Sequence, residues 1–230
     1  FPGEPGTRQT ARMLSVAAPL AVSSYARSAL GTIEHLLVPR GLRLSGSTAD
    51  GALASYGVIQ GMALPVVLFP DCLLFSLSEM LLPELTKKQV SGAAGLARNV
   101  REVLTKSFLY SLAVAVFMFV FADKLGLAVY HSAEAGRYIR LLAPLIPVMY
   151  TDTASDGCLK GLGEQVWCMG INIVDALTSV ALVWFLLPRY GLAAYIAVIY
   201  FGESLNFALS FGRLMTVMKK MRAGTLQSRL

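Results

Sequence analysis

Hydrophobic residues in this chain form long runs, and polar positions recur within them three or four residues apart, as they do along one face of a helix. Six runs reach the length of about 20 residues that crosses a bilayer as a helix. They lie roughly at 14–38, 56–83, 104–122, 139–160, 166–187 and 191–215. The pattern therefore predicts an all-α polytopic membrane protein, a bundle of six transmembrane helices in a single lobe covering residues 1–230.

All but one of these runs contain ionisable residues. A charge inside hydrocarbon is costly unless it faces protein or water, so each one marks a hypothesis about a functional site. The residues are Arg27, Glu34, His35, Asp71, Glu79, Asp152, Asp156, Asp175 and Glu203. The acids outnumber the single embedded arginine, and this surplus favours a cation-coupled transporter over a structural bundle.

Composition and charge agree with a membrane protein. Charged residues make up 15% of the chain and its mean hydropathy is +0.60, whereas an ordinary soluble domain has about 25% charged residues. The net charge of +6 comes from basic residues scattered over membrane-adjacent loops. The basic residues do not form a stripe with aromatic residues between them, as nucleic-acid-binding surfaces do. We therefore expect no nucleic-acid partner, and we expect the protein to contact membrane lipid instead.

The distribution of Lys and Arg predicts the orientation. One set of alternate loops holds 13 of them and the other set holds 6. The positive-inside rule then places both termini in the cytoplasm. Residues 84–106 form a basic amphipathic segment, which we expect to be a cytoplasmic loop near anionic lipids. Because the chain begins at Phe1 rather than Met, we expect a fragment of a longer protein.

Small residues and prolines predict local features of the bundle. The GxxxG pairs Gly57/Gly61 and Gly157/Gly161 are typical of close helix packing. Prolines within the spans remove backbone donors and predict kinks in the first, second and fourth spans, at Pro19, Pro65, Pro70, Pro144 and Pro147.

The first span has one polar face. Its residues are Ser24, Arg27, Ser28, Gly31, Glu34 and His35. Arg27 and Glu34 are separated by about 10.5 Å along the axis, too far for a pair within one helix. Two interpretations stay open for Arg27: it contacts a ligand, or an acid such as Asp152 or Asp156 neutralises it structurally.

The later spans place oxygen donors on helix faces. Asp152 and Asp156 lie at i, i+4 with Lys160 extending their face, while Asn172, Asp175 and Ser179 share one face, and Glu203, Asn206 and Ser210 another. Oxygens that converge from several helices suit Na⁺ or a proton relay. Alternatively, Asp152 and Asp156 pair with Arg27 or Lys160 and hold helices together. No span offers His and Cys ligands at zinc spacing.

Catalytic signatures are missing from the sequence: it has no GxSxG, HExxH or P-loop, and no nucleophile stands beside His35 or His131. We therefore expect a protein that is not an enzyme. We also expect no cofactor, with Na⁺ or H⁺ as the coupling ion.

Several runs resemble a known family. They are IEHLLVPRGL (33–42), YGVIQGMALPVVLFPDCLLFSLSEMLLPEL (56–85), YTDTASDGCLKGLGEQ (150–165) and residues 172–200. They are similar to helices of the stage V sporulation protein B group, within the multidrug/oligosaccharidyl-lipid/polysaccharide exporter superfamily, which also holds the lipid II flippases. The resemblance covers nearly the whole chain, and it rests on helix patterns rather than on catalytic motifs.

The resemblance implies a fold of two six-helix lobes around a central cavity, with this chain as the carboxy-terminal lobe and the amino-terminal lobe missing. Such proteins move lipid-linked oligosaccharides or polysaccharide and peptidoglycan precursors across the bacterial cytoplasmic membrane by alternating access. A role in spore cortex or cell-wall synthesis follows, and a lone lobe is not expected to transport by itself. In lipid II flippases a cation site lies in this lobe, which makes Glu34, Asn172, Asp175 and Glu203 the matching candidates.

The working hypothesis is that the substrate cavity includes Ser24, Arg27, Ser28, Asp152 and Asp156. Arg27 would bind an anionic head group such as the pyrophosphate of a lipid-linked sugar, since its planar fork makes paired charge-assisted hydrogen bonds. One alternative is a multidrug exporter lobe that exchanges drugs for cations. Another is a non-transporting membrane scaffold for wall synthesis.

Overall fold

The computed structural model describes residues 6–45, 49–77 and 93–222, and this part of the chain is helical with no strand. It confirms the predicted all-α membrane bundle. Its helices are α1 (Gly6–Leu44), α2 (Ala49–Val58), α3 (Leu64–Leu68), α4 (Ala93–Tyr130), α5 (Ala133–Leu142), α6 (Ile146–Gly161) and α7 (Gln165–Arg222). A π-helical turn, Ile59–Ala63, joins α2 to α3, a 3₁₀ turn, Ala143–Leu145, joins α5 to α6, and residues 71–77 are also helical.

Helix α7 is a helical hairpin rather than one rod. Its 58 residues would be about 87 Å long if straight. At Gly191 the backbone leaves the helical region, with φ 58° and ψ −137°, a conformation that favours glycine. Beyond it the chain folds back, so that Gly202 lies against Asp175 and Arg213 bonds to Glu164. The two halves correspond to the predicted spans 166–187 and 191–215.

Prolines mark the interruptions in the second and fourth spans. Pro65 has no N–H for the carbonyl one turn earlier, and the turn before it is π-helical, with the Leu64 N–H bonding to the Ile59 carbonyl. A turn at residues 69–70 separates α3 from residues 71–77, and Pro144 lies in the 3₁₀ turn. The predicted kinks in these two spans are therefore confirmed.

The core has two parts. The larger cluster joins the end of α1 to the π-turn, α4, α5, α6 and α7, with Leu42, Ile59, Ile139, Tyr150 and Leu187 among its fully buried side chains. The smaller cluster packs the start of α4 against α6 and the ends of α7. Large apolar side chains on the opposite faces are exposed, including Phe117, Val120, Trp184 and Phe185. Apolar outer faces of this extent are typical of helices that contact lipid.

Three helical segments of the described part are long and apolar enough to cross a membrane: Asp50–Leu68, Ala97–Tyr130 and Gln165–Lys220. The last one folds back at Gly191, so each of its halves is a candidate crossing. Segments 14–38 and 139–160 are helical too, but they carry several ionisable residues and the second is broken at 143–145. That these two cross the membrane stays a prediction.

Some predicted features differ in detail or lie outside the described residues. Residues 93–106 of the basic amphipathic segment are the first turns of α4, while 84–92 and Glu79 are not described. At Gly57 and Gly61 an added Cβ would meet nothing within 4 Å. These two glycines therefore make no close helix contact within the described ranges.

Candidate functional site

Helices α1, α6 and both halves of α7 bring most of the predicted site residues together. Helix α1 carries Arg27, α6 carries Asp152 and Asp156, and the two halves of α7 carry Asp175 and Glu203. The hairpin at Gly191 is what places the last two near each other. The result is one cluster of acids from separate spans with a single arginine beside it.

Asp152 is the most buried of these acids, with 7% of its surface exposed. Its Oδ2 accepts a hydrogen bond of 2.9 Å from the Asn206 amide, whereas its Oδ1 is buried without a partner. Its electrostatic neighbours are other acids, namely Asp156, Glu203 and Asp175. Asp152 is therefore surrounded by negatively charged groups, and Asn206, which donates a hydrogen bond to it, is neutral.

Asp156 lies one turn further along α6, towards the basic end of the cluster. Ser210 donates a hydrogen bond of 3.1 Å to its Oδ1. Lys160 and Arg27 both interact with it electrostatically. Asp156 thus connects the acid cluster to the two cations.

Asp175 and Glu203 face each other across the α7 hairpin. Gly202 permits this approach, since a Cβ built there would stand 3.3 Å from Asp175 Oδ1 and 3.6 Å from Ser179 Oγ. That Oδ1 atom is buried and has no hydrogen-bond partner among the residues that the structure describes. The second half of α7 therefore packs directly against a carboxylate.

Arg27 lines an open cleft with a volume of about 280 Å³ between α1 and the first half of α7. The cleft is lined by Ser23, Ser24, Arg27, Lys160, Gln165, Cys168, Met169, Asn172 and Ile173. Ser28 is exposed next to Arg27 but does not line the cleft. Of the predicted cavity residues, Ser24 and Arg27 thus lie in the cleft itself, and Asp156 lies close to it.

Arg27 makes no direct ion pair with the acids. Where the structure describes the chain, ion pairs join Lys106 to Glu102, Arg140 to Asp123 and Arg213 to Glu164. Arg27 instead interacts at longer range with Asp156, Asp175 and Glu203. Arg27 therefore interacts with Asp156 through space rather than through a direct bond, and its exposed guanidinium can contact a ligand.

The cation candidates are neighbours, but they do not form a ligand set. Glu34 interacts electrostatically with Asp175, which interacts with Glu203, and Asn172 lies in the Arg27 cleft. In the described ranges no three His, Cys, Asp or Glu side chains stand close enough to hold a metal ion. Cation binding by Glu34, Asn172, Asp175 and Glu203 stays a prediction.

Two features of the site have no signal in the sequence. Arg213 donates two hydrogen bonds to Glu164 Oε2, of 2.8 and 3.3 Å, and its guanidinium lies 4.4 Å from the centre of the Trp167 ring. This contact anchors the open end of the α7 hairpin beside the cleft. Thr153 and Asp71 also bond to each other, from spans two and four. Neither pair follows from periodicity, because the partners are far apart in the chain.

The family model MatE matches residues 44–185, which is more than half of the chain and includes the π-turn, α4, α6 and the first half of α7. The chain belongs to the MatE family. Of the polar cluster in this MatE chain, Asp152, Asp156 and Asp175 lie inside the matched range, whereas Arg27 and Glu203 lie outside it. No solved structure matches this chain.

Two curated relatives of this MatE chain come from Bacillus subtilis (strain 168). Stage V sporulation protein B is 24% identical over 188 residues, which is 81% of this chain and 36% of the relative. Sporulation protein YkvU is 23% identical over 176 residues, 76% of this chain and 40% of the relative. The MatE chain therefore spans well under half the length of either relative.

Proposed function

We propose that this chain is one half of a flippase-type transporter that moves a lipid-linked oligosaccharide, or a polysaccharide or peptidoglycan precursor, across the cytoplasmic membrane. The single observation that carries the proposal is the Arg27 cleft, in which an arginine with no ion pair among the described residues stands next to a buried acid cluster. Membership of the MatE family and the similarity to two sporulation proteins support it. By the same similarity, spore cortex or cell-wall synthesis is the process served.

The cleft fits an anionic head group. Arg27 and Lys160 both line it, and Ser24, Gln165 and Asn172 add neutral hydrogen-bond donors. A pyrophosphate offers several acceptor oxygens to such donors, and arginine binds it through paired charge-assisted bonds. The apolar outer faces of α1 and α7 would leave the lipid part of the substrate in the bilayer.

The acids would carry the coupling ion, either a proton or Na⁺. Asp152 and Asp175 each present a buried carboxylate oxygen without a partner, on helices that also flank the cleft. Because Arg27 lies near Asp156, Asp175 and Glu203, a ligand that binds Arg27 would reduce its attraction for them. An anionic substrate on Arg27 would thus raise the affinity of these acids for a cation, and this would couple substrate binding to ion binding.

A multidrug exporter is the second candidate, since the same family architecture can hold a cationic drug against acids. The two cations that line the cleft favour an anionic ligand over a cationic one. If the protein restored drug resistance to a drug-sensitive strain but did not restore wall or spore-cortex synthesis, the result would favour the multidrug exporter.

The test of the proposal is Arg27→Ala in the full-length protein that contains this chain. We expect this variant to lose complementation of a flippase-deficient strain and export of the cell-wall precursor, while Arg27→Lys keeps part of both. Arg137→Ala, at an exposed position on α5, is the matched control and should behave as wild type. Full complementation and export by Arg27→Ala would refute the role of the cleft.

A further inference from the structure

The break in the second span is held by side chains from two other helices. The Tyr150 hydroxyl of α6 donates a hydrogen bond of 2.5 Å to the Val67 carbonyl, and the Tyr110 hydroxyl of α4 donates one of 3.1 Å to the Pro70 carbonyl. The two tyrosine rings stack with their centroids 6.3 Å apart. Tyr150 thus satisfies the Val67 carbonyl at the break. Tyr110 adds a second hydrogen bond to the Pro70 carbonyl, which also accepts one of 3.3 Å from the Leu73 N–H.

Asp71 is the first helical residue after this break, and it is not part of the Arg27 cleft. Its Oδ2 accepts a hydrogen bond of 3.0 Å from the Thr153 hydroxyl, and its Oδ1 is buried with no partner in the part of the chain that the structure describes. The titratable groups that face it are Cys72 beside it, Tyr110 from α4, Tyr150 from α6 and Glu203 from α7. No Lys or Arg faces it among the described residues.

Thr153 has two acceptors within reach and only one hydroxyl hydrogen. They are Asp71 Oδ2 at 3.0 Å and the Met149 carbonyl at 3.3 Å. When Asp71 is ionised, the hydroxyl donates to Asp71. When Asp71 is protonated, its own O–H can donate to Thr153 Oγ1 while Thr153 donates to Met149. Asp71 can therefore bind a proton, and the number of hydrogen bonds in this group of residues stays the same.

We propose that Asp71 is a proton-binding site in the break of the second span, with Thr153 as the partner that reverses its hydrogen-bond direction. A buried carboxylate that faces no cation is costly, and a neutral acid costs less. Binding a proton also removes a negative charge that faces Glu203. The site links residues 71–77 to α6 and does not depend on which substrate the cleft takes.

Infrared spectroscopy of the full-length protein in lipid vesicles, recorded as pH is raised, tests the site. Wild type should show protonated-carboxyl absorption that Asp71→Asn lacks, and this difference should convert to carboxylate absorption at higher pH. Asp123→Asn, at an exposed carboxylate paired with Arg140, is the control and should keep the wild-type signal. Identical titrations of wild type and Asp71→Asn would overturn the proposal.

A second pair of variants keeps Asp71 in place. Thr153→Val removes the hydroxyl and should shift the frequency of the Asp71 carboxyl band, whereas Thr153→Ser keeps the hydroxyl and should leave the band where it is. An unshifted band in Thr153→Val would contradict the reversible hydrogen bond, even if Asp71→Asn does not fold.

Discussion

At the scale of single residues, the buried acids have neutral donors while the peripheral acids have cations. Asn206 bonds to Asp152, Ser210 to Asp156 and Thr153 to Asp71. In contrast, the ion pairs at 2.6 and 2.8 Å join Arg140 to Asp123 and Arg213 to Glu164. A neutral donor holds a carboxylate in position without cancelling its charge. The inner acids therefore remain able to bind a proton or a cation.

Asn206→Ala should destabilise the protein, because it removes the donor to a carboxylate that is 7% exposed. Leaving a buried polar atom unsatisfied costs about 1–3 kcal/mol, so we expect a lower temperature of unfolding in detergent. Ser204→Ala, at an exposed position on the same helix, is the control. Equal unfolding temperatures for both variants would show that Asn206 does not hold Asp152.

Asp175→Asn tests the coupling ion. Asp175, whose Oδ1 is buried without a partner among the described residues, interacts electrostatically with Arg27 and Glu203. Replacing the carboxylate by an amide removes the charge that an ion would neutralise. We expect transport by the full-length variant to lose its dependence on the ion gradient. Transport that responds to the gradient as in wild type would remove Asp175 from the coupling site.

At the scale of elements, the sequence predicts helices well and their contacts poorly. The spans at 166–187 and 191–215 coincide with the halves of α7, because proline, arginine and glycine at 188–191 interrupt an apolar run. The polar faces of spans one, four, five and six also meet as expected. The contact between Asp71 and Thr153 was not predictable, since it depends on how a π-turn and a proline break rotate the second span.

Gly191→Ala should weaken the α7 hairpin. The backbone at Gly191 has φ 58° and ψ −137°, and an added Cβ would stand 3.2 Å from Ser45 Oγ. A side chain in such a conformation costs about 1–3 kcal/mol, which should lower the unfolding temperature. Gly170→Ala, where a Cβ would meet nothing within 4 Å, should leave stability equal or higher. Equal stability of Gly191→Ala and wild type would argue against a strained turn.

At the scale of the whole molecule, the described part has apolar outer faces, a polar cluster between α1, α6 and α7, and a cleft open beside it. Only the structure shows that Arg27 makes no direct ion pair within the described ranges, because periodicity places residues on faces but does not give the distances between helices. The orientation with both termini in the cytoplasm, and a second lobe across the cleft, remain predictions from charge distribution and family resemblance.

The role of Arg27 is tested most directly by measuring how tightly the purified full-length protein binds a lipid-linked sugar pyrophosphate with a shortened lipid. If Arg27 holds the head group, Arg27→Ala should weaken binding by about 10- to 100-fold, since bonds to charged groups contribute about 1.5–3 kcal/mol and 1.4 kcal/mol is tenfold. Arg27→Lys should lose less, and Arg137→Ala nothing. Binding by Arg27→Ala as tight as wild type would contradict the account.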